Sequence, residues 1–363
     1  MKRRKFLKGA AAGGVAAAAA TVSAPAISQG IKQLKMVTTW PKNFPGLGTG
    51  AENLAHRINT MSGGKLQVKV YAAGELVPPF QSFDAVSSGK AEMSHSVSYY
   101  WQGKSPAFNF FANVPFGFTA IEHAAWMLWG DGMKLWTELC NNFDVVPFMR
   151  ASTGVQMGGW YRKEMKTIED YKGLKFRMPG LGGEVLRKLG ATVVNLPGGE
   201  IFPALQAGTI DGTEWVGPWN DMAFGFYKVA KFYYWPGFHE PCTTGEVLVN
   251  KKVWTGLSAE HKEIIEVAVQ AEAIREWAEF AYKSGDALEV LLNQHGVQLR
   301  RFSDVMMERI GQAAGEVVEE IGNKDPFTKK VYESFIKART KAIGWSTIGE
   351  QAYMNARSLK FKY

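Results

Sequence analysis

The stretch Lys172–Trp215, KGLKFRMPGLGGEVLRKLGATVVNLPGGEIFPALQAGTIDGTEW, leaves few folds open. Leu174–Arg177 and Thr192–Asn195 have the short apolar pattern of strands, while Glu184–Leu189 and Glu200–Gln206 have helical spacing. Gly/Pro turns separate them, and a last turn leads into Gly212–Trp215. Such alternation builds an open sheet flanked by helices. In that geometry, side chains at strand C-terminal ends face the ligand crevice. Arg177 closes the first strand and Glu214 lies in the last turn. An arginine in that position can grip a carboxylate through two parallel hydrogen bonds.

The N-terminus predicts export. Lys2, Arg3, Arg4, Lys5 and Lys8 form a basic head, followed by an Ala/Gly/Val run and Ala24-Pro25-Ala26, an A-x-A cleavage pattern. Residues 1–26 therefore read as a signal peptide, and Arg3-Arg4-Lys5-Phe6-Leu7-Lys8 matches the twin-arginine signature. The run is too short and too glycine-rich for a membrane span. Without those basic residues the formal charge falls from +8 to +3. A +3 chain of this size offers no case for nucleic acid. About 340 remaining residues divide most readily into two domains. The two cysteines, Cys140 and Cys242, could pair after export, but sequence leaves their proximity open.

Strand, helix, strand, helix, strand is the expected order from Leu34–Trp40 through Leu66–Tyr71 to Met93–Val97. Val145–Met149, Thr153–Tyr161 and Glu246–Asn250 read as further strands, the first and last as crossovers between domains. The predicted division is residues 27–150 plus about 243–257 for one α/β lobe and 151–242 for a second. Residues 258–343 read as a long connecting helix and a helical region packing on both lobes. Ser258 is its expected N-cap, and Ile264, Ala268, Ala271, Ala278 and Tyr282 its apolar face. Asp304–Ile321 and Lys330–Ile343 read as later helices. The tail 344–363 retains Trp345, Tyr353, Leu359 and Phe361, and an aromatic tail is expected to dock on something.

Enzyme signatures fail one by one. Gly46-Leu47-Gly48-Thr49-Gly50 follows a strand, but lacks the third glycine of a dinucleotide fingerprint, and the second strand ends in Tyr71-Ala72-Ala73 without a ribose-binding acid. There is no Walker loop, HExxH or G-x-S-x-G. The six histidines, His56, His95, His123, His239, His261 and His295, form no ligand-spaced pair and read as surface or packed residues.

Four polar residues stand in apolar or glycine-rich surroundings: Gln156 in STGVQMGGWY, Arg177, Glu214, and Glu240 in WPGFHEP. Singly, each has an ordinary structural reading as a half-buried amide, a paired cation, a turn acid or a surface acid. Together, Arg177 supplies a fixed cation for a small carboxylate. Glu214, Glu240, the Gln156 amide oxygen and the Trp215 carbonyl supply oxygen donors. All-oxygen ligation suits a hard cation such as Na⁺ or Ca²⁺. A cation between two buried glutamates would offset their repulsion of an anionic ligand.

On these residues, nearly the whole chain after residue 26 resembles the solute-binding proteins of TRAP transporters, closest to the branch that binds 2-oxo acids or lactate with a metal. The resemblance implies an α/β, two-lobed periplasmic binding protein, type II-like, with a lobe-spanning helix and a C-terminal helical tail. It implies that Arg177 holds the ligand carboxylate and that Gln156, Glu214, Trp215 and Glu240 hold a cation, with Na⁺ the first expectation and Ca²⁺ the alternative. Gln156, Glu214 and Glu240 are also expected at the organic ligand, and Tyr99-Tyr100-Trp101 at the first-lobe wall. Sialic-acid-binding relatives share the arginine, whereas the acidic pair and aromatics here favour a smaller acid. The expected partners are a small organic acid, a membrane permease and a second copy of the chain, joined through a swapped C-terminal helix. The expected function is capture of a pyruvate-like 2-oxo monocarboxylate and no catalysis. The alternatives are a lactate or other hydroxy- or sugar-acid binder with Ca²⁺, and a secreted metal-dependent hydrolase or lyase.

Overall fold

The structure, a computed structural model, describes residues 30–362. The expected signal peptide, 1–26, lies outside the described residues. Among the described residues, no helix is long and apolar enough to cross a membrane.

Two mixed sheets organise the chain. The first contains β1 (Lys32–Thr38), β2 (Leu66–Tyr71), β3 (Met93–Ser96), β4 (Val145–Ser152) and β10 (Thr244–Asn250), in the order β2-β1-β3-β10-β4. The second contains β5 (Gly159–Tyr161), β6 (Lys175–Arg177), β7 (Thr192–Val194), β8 (Gly212–Thr213), β9 (Phe232–Trp235) and β11 (Gln298–Arg301), in the order β11-β9-β5-β8-β6-β7. β1, β2 and β3 run parallel, and β10 inserts antiparallel between β3 and β4. Every residue of β10 is buried, Thr244, Glu246 and Asn250 included, as in a strand covered on both faces.

That insertion creates the cleft. Because β10 is antiparallel to β4, the chain leaves the first sheet at Ser152 and returns beside it at Thr244. The outgoing and returning segments, 153–158 and 236–243, therefore run side by side between the sheets. Thr153 N–H donates to the Thr243 carbonyl at 3.0 Å, Gln156 N–H to the Glu240 carbonyl at 3.1 Å, and Gly237 N–H to the Gln156 carbonyl at 2.9 Å. The strand expected over Thr153–Tyr161 is thus confined to Gly159–Tyr161, and Gln156 sits in the crossover. Gly154, at φ +70°, breaks the extended run.

The long helix Ala259–Asn293 is capped by Ser258 as expected. It packs on β4 and on the helix Leu47–Met61, and also on the helix Pro218–Phe224 beside the second sheet. Its buried face differs from the expected one: Ile265, Ala268, Val269, Glu272, Glu276, Phe280, Ala287 and Leu291 face inward. Of the predicted stripe only Ala268 is buried, and Tyr282 is 72% exposed. Apolar periodicity missed this face because two glutamates belong to it, Glu272 paired with Arg57 and Glu276 with Arg150. β11, within the region expected to be helical, adds an edge strand parallel to β9.

Helices Asp304–Gly322, Pro326–Ile348 and Glu350–Arg357 complete the chain. Val331 and Phe335 are buried, Phe335 against Phe110, Phe118 and Trp126. Beyond them the aromatic tail stays largely exposed among the described residues: Trp345 is 70% exposed and Tyr353 67%. Cys140 and Cys242 are both buried free thiols. The two sheets, the helix bridging them and the helical tail match the expected two-lobed α/β architecture.

Candidate functional site

A small cavity opens between the sheets. It is closed down to about the space of a single water. Tyr99, Tyr100, Gln156 and Trp215 line it, together with Arg150, Thr153 and Thr243, which sequence reasoning did not single out. Arg177, Glu214 and Glu240 form a second layer behind that lining, each at most 2% exposed.

Arg177 ends β6, on the side of the crevice that the β/α pattern requires, but its side chain lies behind the cavity lining. Its Nε donates to the Leu196 carbonyl at 3.2 Å and its Nη1 to the Glu214 carbonyl at 3.0 Å. Nη1 also meets the Glu214 carboxylate, and Nη2 reaches the Tyr100 hydroxyl at 3.5 Å. The guanidinium lies 5.1 Å from the Trp215 ring, a cation–π approach. The two-pronged grip expected of Arg177 is therefore partly taken up: Nε and Nη1 are held by the protein, and Nη2 is the edge turned to Tyr100.

Glu214 follows β8, its N–H tied to the Arg177 carbonyl at 3.2 Å. Burial raises its carboxyl to about 7 despite Arg177. Burial also raises Glu240 to about 7, with repulsion from Glu214 adding to it. Two destabilised carboxylates side by side favour any positive charge placed between them.

The structure adds a residue that sequence reasoning set aside. His239, fully buried, lies with its Nε2 3.2 Å from Glu214 Oε2. Burial lowers its imidazole to about 4, so it is neutral at physiological pH. His239, Glu214 and Glu240 each place one potential ligand atom within 4.8 Å of the others. The only signal in the sequence was adjacency, His239 directly preceding Glu240. Gly182 makes room for this packing, since a Cβ there would sit 2.6 Å from His239 Cβ.

Tyr99 and Tyr100 come from the 3-10 turn Ser98–Trp101, their rings edge to face at 4.9 Å. Trp101 turns away from the cleft, its indole N–H held by buried Glu246. Gln156 spends its amide N–H₂ on Thr153 Oγ1 at 3.1 Å and Thr243 Oγ1 at 2.9 Å. Its carbonyl oxygen is buried without a partner. An orphaned amide oxygen beside two strained carboxylates suits a hard cation. The imidazole in the cluster is the feature that the all-oxygen expectation lacked.

The DctP family, described as bacterial extracellular solute-binding protein, family 7, matches residues 36–325. A monocarboxylate 2-oxoacid-binding periplasmic protein of Nostoc sp. is 40% identical over 99% of each chain. A TRAP periplasmic solute-binding protein of Pseudoalteromonas atlantica, solved with bound sodium and pyruvate, superposes with a TM-score of 0.87 at 38% identity, covering 91% of this chain and 100% of that one. A TRAP transporter solute-binding protein of Bordetella bronchiseptica, solved as a mixed-occupancy dimer with calcium and picolinate in one active site, gives a TM-score of 0.88 at 35% identity, covering 90% and 97%. The family match runs through both sheets and every cleft residue between them, and the chain belongs to the DctP family of TRAP solute-binding proteins.

Proposed function

We propose that this protein captures a small 2-oxo monocarboxylate of pyruvate size in the periplasm, together with a cation, and presents it to a TRAP permease. The observation that carries this reading is the buried cluster of Arg177, Glu214, His239 and Glu240 beneath a very small cavity. The cavity as closed holds about one water, so the lobes must part to admit even a ligand of pyruvate size, whose carboxylate Arg177 Nη2 and the Tyr100 hydroxyl would hold. Gln156 Oε1, the Trp215 carbonyl, Glu214 and Glu240 would hold the ion. When bound, the ion supplies positive charge that lets both glutamates ionise beside an anion and offers the ligand's two oxygens a point of chelation. Na⁺ is the first assignment. Ca²⁺ is the alternative, supported by the paired acids and by the calcium-bound relative.

The lobes would close by hinge motion at the paired crossovers 153–158 and 236–243. No step of chemistry is assigned to the site, since buried His239 lies far below its usual range and its Nε2 faces Glu214 rather than the cavity. Export follows the twin-arginine route in this reading. A homodimer is favoured by the groove between the helices Ala120–Trp129 and Pro326–Ile348, where Trp129 is 91% exposed and Trp345 70%.

The test is calorimetry of the ion-stripped protein with pyruvate, in the presence and absence of Na⁺ or Ca²⁺. Saturable binding that strengthens with a cation is expected, and a ligand bound only to the folded state will raise the melting temperature. Pyruvate followed by NMR should stay intact. Turnover, or no heat with pyruvate, lactate or other 2-oxo acids, would overturn the reading.

A further inference from the structure

We infer that Thr243 is a positioning residue for the ion cage: its hydroxyl orients the Gln156 amide and the Glu240 carboxylate at once, from the segment on which the hinge turns. The inference rests on the ion-binding reading above and adds to it a residue that contacts the ligands rather than the ion.

The argument is one of hydrogen-bond valence. A threonine hydroxyl has one hydrogen and two lone pairs. Thr243 donates to Glu240 Oε2. It accepts from Gln156 Nε2 at 2.9 Å and from Asn113 Nδ2 at 3.2 Å. With Glu240 ionised, every valence is used and each direction is fixed. Gln156 is constrained a second time. Thr153 Oγ1 donates to the Gly154 carbonyl at 3.1 Å, so it too can only accept from the Gln156 amide. Rotating that amide by half a turn would aim its oxygen at two hydroxyls with no hydrogen to give. The carbonyl oxygen is thereby held at the position where it has no protein partner. Thr243 and Thr153 are also the residues that tie the crossovers, through Thr153 N–H to the Thr243 carbonyl at 3.0 Å and Thr243 N–H to Thr153 Oγ1 at 3.2 Å. The hinge and the cage therefore share one polar knot, which any movement of the crossovers must carry with it.

The test uses the full exported chain, stripped of ions. Calcium alone is titrated calorimetrically into wild type, Thr243→Val and Thr243→Ser, and pyruvate affinity is then measured at low and saturating calcium. Valine keeps the shape and removes the hydroxyl. Loss of such an outer partner is expected to weaken ion affinity about 10- to 100-fold, with serine restoring most of it. Pyruvate affinity of Thr243→Val should return towards wild type at saturating calcium, which a merely structural defect would not allow. Wild-type calcium affinity in folded Thr243→Val overturns the inference and leaves the ion-binding reading standing. Wild-type pyruvate affinity that ignores calcium and sodium alike overturns both. Should Thr243→Val not fold, Asn113→Ala is read instead: weaker calcium binding of about threefold is expected, and an unchanged value overturns the inference.

Discussion

Two buried Arg–Glu pairs flank the cleft. Arg150 of β4 meets Glu276 of the long helix on the side of the first sheet, and Arg177 of β6 meets Glu214 on the side of the second. All four side chains are almost fully buried. Their surroundings are opposite. Arg177 also has two backbone carbonyls and a tyrosine hydroxyl, and burial, which works against its charge, is outweighed by Glu214 and the neighbouring acids and phenols. Arg150 has an Nε without a hydrogen-bond partner, and burial lowers its guanidinium to about 9. Gly245 and Gly50 make the space in which the Arg150 pair lies, because a Cβ at either would fall within 2.8 Å of Arg150 or Glu276. Arg177, in the layer behind the lining, keeps only its Nη2 edge towards Tyr100 for an exchangeable anion, whereas Arg150 lines the cavity itself. An arginine clamped to a helix glutamate is suited to fastening β4 to the lobe-spanning helix.

The comparison breaks most visibly through stability. Arg150→Met leaves Glu276 buried and unpaired, and should lower the unfolding free energy by about 3–5 kcal/mol, read by urea denaturation. Arg150→Met with Glu276→Leu should recover most of that loss, because a well-packed apolar pair replaces two charges whose desolvation is costly. Failure of the double variant to recover would mean that the pair contributes more to the fold than its desolvation costs, and weaker pyruvate binding by it would mean that Arg150 also serves the ligand.

Arg177→Ala leaves Glu214 buried without its cation and should also cost stability, and in the folded protein it should weaken pyruvate binding by about 2–5 kcal/mol, measured calorimetrically, since the ligand carboxylate would lose its charged partner in a dry site. Unchanged affinity would reduce Arg177 to a second structural pair and erase the distinction.

A smaller effect, graded with pH, sharpens it further. Glu214 and Glu240 are held near 7, above the ordinary carboxylate value of 4.5, by burial in both cases. Between about pH 4.5 and 7 the unfolded chain has released these protons while the folded, ion-free chain still holds most of them. The folded state binds more protons there, so ion-free stability should fall as pH rises across that window. His239, lowered to about 4, opposes that fall below about pH 6.5, where the unfolded imidazole is still protonated, whereas buried Asp221 and Glu246, raised to about 7 and about 8, add to it. Calcium affinity should rise over the same window, because the ion displaces protons from its ligands. Thermal melts and calcium titrations in one buffer series will show both trends, and flat profiles would mean that the glutamates are ionised before the ion arrives.

Much of this was readable from residue order. The strand ending in Arg177 and the turn carrying Glu214 follow from local periodicity, as does Ser258 at the start of the long helix. Errors arose where a segment takes its structure from distant partners. Gln156 looked like a strand residue, yet its backbone pairs with the returning crossover. The long helix buries a face containing Glu272 and Glu276, which only Arg57 and Arg150 make tolerable. His239 was set aside because its partner Glu214 is 25 positions away.

By itself the sequence determined the alternation of strands and helices, and the lone charges set among glycines and apolar residues, since both depend on neighbours along the chain. Only the tertiary structure decided which charges meet. Insertion of β10 against β4 lays two crossovers side by side, and that apposition brings Gln156, Thr243 and Glu240 together. Burial then changes what these groups are: the same carboxyls that would ionise freely on an open chain become, once sealed from water, a place where positive charge is favoured.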